Sequence, residues 1–152
     1  MGQVVHKKKV AVSACLLGEA CRYDGTPKTT PAILEALKDA EIIPFCPEAP
    51  VLGTPRGRIS LIYSKAAGYR VIGDESGEDV TDAIKAQTQK LIDAHPDLDM
   101  IVLKSKSPSC GIGTTPLLTP DRKLLCYDNG IAAEMLLDAF SEIDIVDEHH
   151  FD

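Results

Sequence analysis

Leu98-Asp99-Met100-Ile101-Val102-Leu103 followed by Lys104-Ser105-Lys106-Ser107-Pro108-Ser109-Cys110-Gly111-Ile112-Gly113 is a short apolar run that ends in hydroxyls, one thiol and two glycines. The apolar, partly β-branched half predicts a buried strand over Leu98–Leu103. Pro108 cannot extend a ladder, and Gly111 and Gly113 permit backbone conformations closed to other residues, so the second half predicts a tight turn. Cys110 then stands just past the carboxyl end of a strand. In open parallel sheets that edge is where ligands bind.

Two further stretches repeat the arrangement. Lys8–Ala14 carries the continuous run Val10-Ala11-Val12, predicts a first strand buried on both faces, and is followed at once by Cys15. Ile42-Ile43-Pro44-Phe45 predicts another strand, placed by Pro44 at a sheet edge or strand end, and Cys46-Pro47-Glu48 follows it. Helical signals lie between. Thr30 and Pro31 are an N-cap and first-turn pair, ahead of a buried stripe Ile33, Leu34, Leu37 and Ala40. Val80, Ala83, Ile84, Leu91 and Ile92 fall at helical spacing over about Asp79–His95, stopped by Pro96, and a last helix is expected over about Gly130–Ala139. Leu61–Ser64 and Tyr69–Ile72 read as a short hairpin, and the text from Gly113 to Asn129 as loop and short strand around Leu117-Leu118 and Leu124-Leu125. Ile143–Val146 is the last expected strand.

Strand and helix alternate, which predicts an α/β three-layer sandwich: a mostly parallel, Rossmann-like sheet with right-handed crossovers and helices on both faces, plus the short β-hairpin. No repeat or linker divides the chain, so residues 1–152 read as a single domain, with an acidic tail from about Asp147 expected to fray.

Composition narrows the function classes. The first 76 residues hold ten basic and eight acidic side chains and the last 76 hold six and fifteen, within a net charge of −7. No basic stripe or aromatic platform stands out, so polymeric nucleic acid is not an expected partner. No run approaches the roughly 18 apolar residues of a membrane span. The basic start Met1–Lys9 leads into too short an apolar run for a secretory signal, which predicts a cytoplasmic chain. Five cysteines, an odd number in such a chain, speak for free, metal-binding or catalytic thiols rather than a disulfide framework. Monomer and dimer are both open.

A parallel sheet would carry Cys15, Cys46 and Cys110 to one edge, and strands spaced about 4.8 Å apart would let the thiols gather. No Cys-x-x-Cys pair spells out a zinc ribbon or ferredoxin run, so a metal site would have to be assembled by the fold. Three thiolates suit a soft metal. An iron–sulfur cluster with three protein ligands would leave one iron open, whereas Cys21 as a fourth ligand would suggest closed zinc. Cysteine is also a common core residue, so the pattern alone leaves metal and bland core thiols as alternatives. Glu48 is a proton-transfer group if the pocket shields it and a plain loop carboxylate if not. Ser105, Ser107 and Ser109 either meet a ligand or hold the turn together, and Arg22, Asp24 and Arg56 are loop charges suited to orienting a substrate or pairing with one another. Cys126 reads as core filler. His149 and His150 read as a tail pair without a role.

Taken together, Ser13-Ala14-Cys15-Leu16-Leu17-Gly18, Cys21-Arg22-Tyr23-Asp24-Gly25, Cys46-Pro47-Glu48, Thr54-Pro55-Arg56 and Ser107-Pro108-Ser109-Cys110-Gly111 give a chain that resembles the DUF523 family of TudS-type thiouracil desulfurases from Val10 to about Val146. The resemblance implies a [4Fe-4S] cluster held by Cys15, Cys46 and Cys110, with the fourth iron free for the sulfur of a small thiolated nucleobase of the 2-thiouracil or 4-thiouracil type. It implies catalytic roles for Glu48 and Ser107, with Cys21 a loop cysteine. The reaction implied is non-redox: water replaces sulfur, giving the oxo-base and sulfide. Asp24, Arg56, Ser105 and Ser109 are the candidate substrate contacts. The sequence departs from the family around Thr54-Pro55-Arg56, where Ala49-Pro50-Val51-Leu52 and Gly57-Arg58 replace a glycine-rich run and further prolines. The competing classes are a zinc- or cluster-binding sensor module and a redox thiol protein.

Overall fold

The structure is a computed structural model that describes residues 7–17, 31–48 and 57–151. Strands β1 (Lys9–Ser13), β2 (Glu41–Phe45), β5 (Met100–Leu103) and β8 (Asp144–Asp147) form one sheet in the order β2-β1-β5-β8. Every pair in it is parallel, with Val12 beside both Pro44 and Val102, and Val102 beside Val146. Strict alternation along β1 and β5 then sends side chains to two different cores. Val10, Val12 and Val102 face one way, onto Leu16 of the turn after β1 and onto Ile33 of helix α1 (Pro31–Ala36). Ala11, Ile101 and Leu103 face the other, onto Ile84 and Leu91 of α2 (Thr81–Ala94) and Ile131 and Leu136 of α3 (Ile131–Ala139).

Strands β3 (Ile59–Ser64), β4 (Gly68–Gly73), β6 (Thr115–Leu118) and β7 (Leu124–Asp128) make a second sheet, ordered β4-β3-β6-β7. It is two antiparallel hairpins joined by one parallel pair between β3 and β6. The expected hairpin is one half of it. The other half contains the short strands expected around Leu117-Leu118 and Leu124-Leu125, but its extent is obscured in the sequence because Pro116 and Pro120 interrupt the pattern and β7 has no inward and outward alternation: four of its five residues are exposed. Leu61, Val71 and Leu117 turn into the larger core, so this sheet packs against the same apolar mass as α2 and α3. Thr81 joins the parts at the start of α2, where its hydroxyl accepts the Val71 amide at 2.7 Å. Asp79 receives the Thr81 amide at 3.0 Å and the Arg70 guanidinium at 2.7 Å, and these bonds, the Arg70 one first, pull its carboxyl down to about 2.

Pro44 lies exposed on edge strand β2, where a missing amide costs no ladder bond, as its sequence position predicts. Three expectations need correction. Leu34 is 44% exposed, because a helix of one and a half turns points only Ile33 inward, and Leu37 and Ala40 pack beyond the helix end. Cys126 is exposed rather than core, since edge strand β7 has no layer over it. The acidic tail does not fray: Asp147 closes β8, Glu148–Phe151 forms a 3-10 turn, Phe151 packs on the Leu16 and Ile33 cluster, and Glu148 is buried. Thr30 and Cys21 lie outside the described residues. Among the described residues no helix is long and apolar enough to cross a membrane.

Ile101 is fully buried between the parallel sheet and the two helices. Ile101→Ala is therefore expected to cost about 2–5 kcal/mol of stability in urea denaturation. Leu124→Ala on the open edge should stay within about 0.5 kcal/mol of the parent.

Candidate active site

Because β1, β2 and β5 are parallel neighbours, their carboxyl ends open on one edge. Cys15 follows β1 in a 3-10 turn (Ala14–Leu17), Cys46 follows β2 directly, and Cys110 follows β5 in the serine-rich turn. None of the three is in a disulfide, and all three line one cavity of about 340 Å³ together with Glu48, Ser107 and Lys104. Burial pushes the Cys110 thiol well above its ordinary range, and the charges of Glu48, Cys46 and Cys15 push the same way; a hydrogen bond from Ser13 opposes them. A cationic centre beside the thiol would offset that cost.

The turn that carries Cys110 is held from inside and from outside. Lys106 takes a left-handed backbone (φ 65°), which swings Ser107 back over the residues that follow it. Ser107 Oγ accepts the amides of Ser109 at 3.2 Å and Cys110 at 3.0 Å, and its carbonyl accepts the Gly111 amide at 3.0 Å and the Thr115 hydroxyl at 2.6 Å. At Gly111 a Cβ would run into the Ser107 carbonyl and the hydroxyls of Thr114 and Thr115, so space rather than dihedral angle demands glycine. From outside, the start of α3 presses on the turn. Gly130 donates to the Gly111 carbonyl at 2.8 Å and Ala133 to the Ser109 carbonyl at 3.0 Å, and a Cβ on Gly130 would collide with the Ser109 and Cys110 backbone.

Glu48 is only 7% exposed. Its Oε2 accepts the Ser109 hydroxyl at 2.7 Å and the Ser107 hydroxyl at 3.4 Å. Ser107 thus accepts from two amides and has its proton left for Glu48 or a ligand. Ser109, expected to touch substrate, is fully buried and off the cavity wall, with its hydroxyl donated to Glu48. Ser105 lines the cavity, but its hydroxyl is committed to Glu148 Oε2 at 3.0 Å and its amide to Glu148 Oε1 at 2.7 Å. Asp24, Arg22, Cys21 and Arg56 lie outside the described residues. Among the described residues no group of three or more His, Cys, Asp or Glu side chains is arranged to hold a metal ion as it stands; the thiols share a cavity without closing on one point.

Four polar residues at the site are not singled out by the sequence. Arg58 and Lys104 line the cavity, Ser13 ties β1 to β5 by accepting the Lys104 amide at 2.9 Å, and Glu148 reaches in from the chain's last turn. Ser13 and Lys104 flank the quoted strand ends and were legible as strand-exit positions. Glu148 is separated from Ser105 by 43 residues with no local signal to connect them. Burial raises its carboxyl pKa, but the Ser105 amide and Lys104 outweigh this and leave it below its ordinary 4.5.

A model of the family described as 2-thiouracil desulfurase matches residues 10–148. A protein of Bacillus subtilis (strain 168), named as the uncharacterized protein YbbK, is 32% identical over 113 residues, which is 68% of this chain and 74% of its own. A solved structure of a protein described as the [4Fe-4S]-dependent thiouracil desulfidase TudS superposes with a TM-score of 0.69 at 30% identity, covering 95% of this chain and 93% of that one.

Gly130→Val should cost roughly 1–3 kcal/mol in urea denaturation, as overpacking does, and should expose Cys110 to alkylation by iodoacetamide, read by mass spectrometry. Glu148 has a depressed folded pKa, so its stabilisation is present above the ordinary carboxylate value and lost as pH falls through the folded one. The thermal midpoint of Glu148→Gln is thus expected to lie below the parent at pH 7, with the gap closing as pH falls below 4.5.

Proposed function

We propose, from the premise that the chain belongs to the 2-thiouracil desulfurase family, that it removes sulfur from a small thiolated pyrimidine of the 2-thiouracil or 4-thiouracil type. Water replaces sulfur at the thiocarbonyl carbon and sulfide leaves, so thiocarbonyl and water become carbonyl and hydrogen sulfide with no net transfer of electrons. The observation that carries this reading is the meeting of three thiols, a buried carboxylate and an oriented hydroxyl on one cavity at the carboxyl edge of a parallel sheet.

The residues fit an iron–sulfur cluster. Cys15, Cys46 and Cys110 are soft donors, and a cluster offers a separate iron to each thiolate, so its ligands need not converge on one atom as those of a single ion must. When bound, the cluster supplies a soft, Lewis-acidic iron suited to a sulfur ligand. In this reading the chain's own groups do the rest. Phe45 gives the cavity an apolar wall for a flat ring. Glu48 takes a proton from the attacking water at its carboxylate and returns one to the departing sulfur, held in place by Ser109. Ser107, its lone pairs engaged by two amides, turns its proton toward Glu48 and the bound base. Thiols outside any disulfide at the site suit a reducing, cytoplasmic compartment.

Anaerobically reconstituted protein is expected to release sulfide from 2-thiouracil or 4-thiouracil. Cys15→Ser, Cys46→Ser and Cys110→Ser should each lose iron together with activity. Glu48→Gln should keep its iron and lose about 10²- to 10⁴-fold in kcat, the range for a positioned proton-transfer group. Full turnover in Glu48→Gln would remove that carboxylate from the mechanism; tightly held zinc with no sulfide release would favour a sensor module instead.

A further inference from the structure

The wall of the cavity also carries a cation, Lys104, without a task in the reaction described above. Lys104 is the first residue after β5, its side chain is 19% exposed, and it lines the cavity. Its ammonium donates to Glu148 Oε2 at 3.0 Å and to the Ser105 carbonyl at 2.8 Å. Those two bonds occupy two of the three N–H donors. The third has only Ser105 Oγ at 3.4 Å, and that hydroxyl already gives its own proton to Glu148 Oε2. An ammonium so held is tethered by three bonds, and the longest, to Ser105 Oγ, is the one a stronger acceptor would displace.

Glu148 is the reason it is held. The carboxylate is buried, bridges the Ser105 amide, the Ser105 hydroxyl and the Lys104 ammonium, and comes from the 3-10 turn that follows β8. Since β8 pairs in parallel with β5 through Leu103 and Asp147, the first residue after β8 arrives beside the first two after β5. We propose that Lys104 recognises an exocyclic oxygen or an anionic ring of the substrate with the N–H that otherwise makes the long bond to Ser105 Oγ, and that Glu148 is the positioning residue that holds the ammonium. The proposal rests on the reading of this cavity as the place where the thiolated base binds. It makes the cavity selective for heterocycles that present an oxygen acceptor or a delocalised negative charge beside the thiocarbonyl, as thiouracils do, over thioamides that lack one.

The experiment combines steady-state kinetics of sulfide release with direct titration of uracil, a ligand that has the oxygens but no sulfur to lose, onto the full chain followed by NMR. Lys104→Met should raise both KM and the uracil dissociation constant about 10- to 100-fold, the loss of one charge-assisted hydrogen bond, with a much smaller fall in kcat and unchanged iron content. Glu148→Gln keeps an acceptor for the Ser105 amide but drops the ion pair, and should move KM and uracil affinity in the same direction. Placed in the Lys104→Met background, Glu148→Gln should add nothing to either, although it still lowers the thermal midpoint; a merely structural Glu148 would add its full effect there. Lys104-dependent uracil binding without sulfide release from the parent would refute the proposed reaction and leave this inference standing. Normal sulfide release with KM and uracil affinity unmoved in Lys104→Met overturns the inference alone, as does a Lys104→Met defect confined to iron content or kcat. Failure of the parent to bind uracil overturns it as well.

Discussion

The parallel register that sets Val12 beside Pro44 on one side and Val102 on the other is the constraint from which the site follows. Antiparallel neighbours would deliver successive chain exits to opposite edges; parallel ones deliver them all to the same edge. The register is enforced by burial on both faces. Sliding β1 by one residue would swap Ala11 with Val10 and Val12 and turn the side chains meant for the α1 face toward α2 and α3. The chemistry is thereby tied to the core: the same Val10-Ala11-Val12 run that fills two cores also fixes where Cys15 emerges relative to Cys46 and Cys110.

Strand pairing brings the three exits together, but it does not orient them, and that second task falls to the polar groups around the turn after β5. Ser107 caps the turn, Gly111 and Gly130 let backbone approach backbone, and α3 lends its first amides to the Ser109 and Gly111 carbonyls. Glu48 enters this frame through Ser109, which comes from the turn after β5 rather than from its own loop. A buried carboxylate without such donors would carry a heavy desolvation cost. The second sheet supports the same core from behind, through Leu61, Val71 and Leu117, and brings Arg58 to the cavity at the entry to β3.

Much of this was legible in the sequence because the signals were local. Continuous apolar runs ending in a thiol announced β1, β2 and β5; Pro96 announced the end of α2; and five separated motifs announced the family. What was missed depends on contacts far apart in the chain. Nothing in Glu148-His149-His150 indicates a turn packed under a strand exit, because the partner that buries Glu148 is 43 residues earlier. Ser105 and Ser109 look alike in the text, flanking Ser107 at equal spacing, yet one faces the C-terminal turn and the other backs Glu48; only the reversal of the chain at Lys106 separates them. The hairpin of β6 and β7 was legible only as short strands around Leu117-Leu118 and Leu124-Leu125. Its extent was not, because Pro116 and Pro120 interrupt the pattern and edge strand β7 has no buried face to write alternation into the sequence.

Charge explains why these parts belong together. Glu48 and three thiols line one cavity, and at Cys110 burial first, then the charges of Glu48, Cys46 and Cys15, disfavour the thiolate. The positive groups do not cancel this. Lys104 is already paired with Glu148, so it offers direction and a hydrogen bond more than net charge, and Lys106 is exposed to water, which screens it. A cationic centre would stabilise thiolates in such surroundings, and this is the electrostatic support for the metal cluster proposed for this cavity over thiol chemistry of its own. A cysteine nucleophile needs a lowered pKa beside a cation or a helix start. At Cys110 burial and the neighbouring acids raise it, which sets this thiol apart from an attacking group.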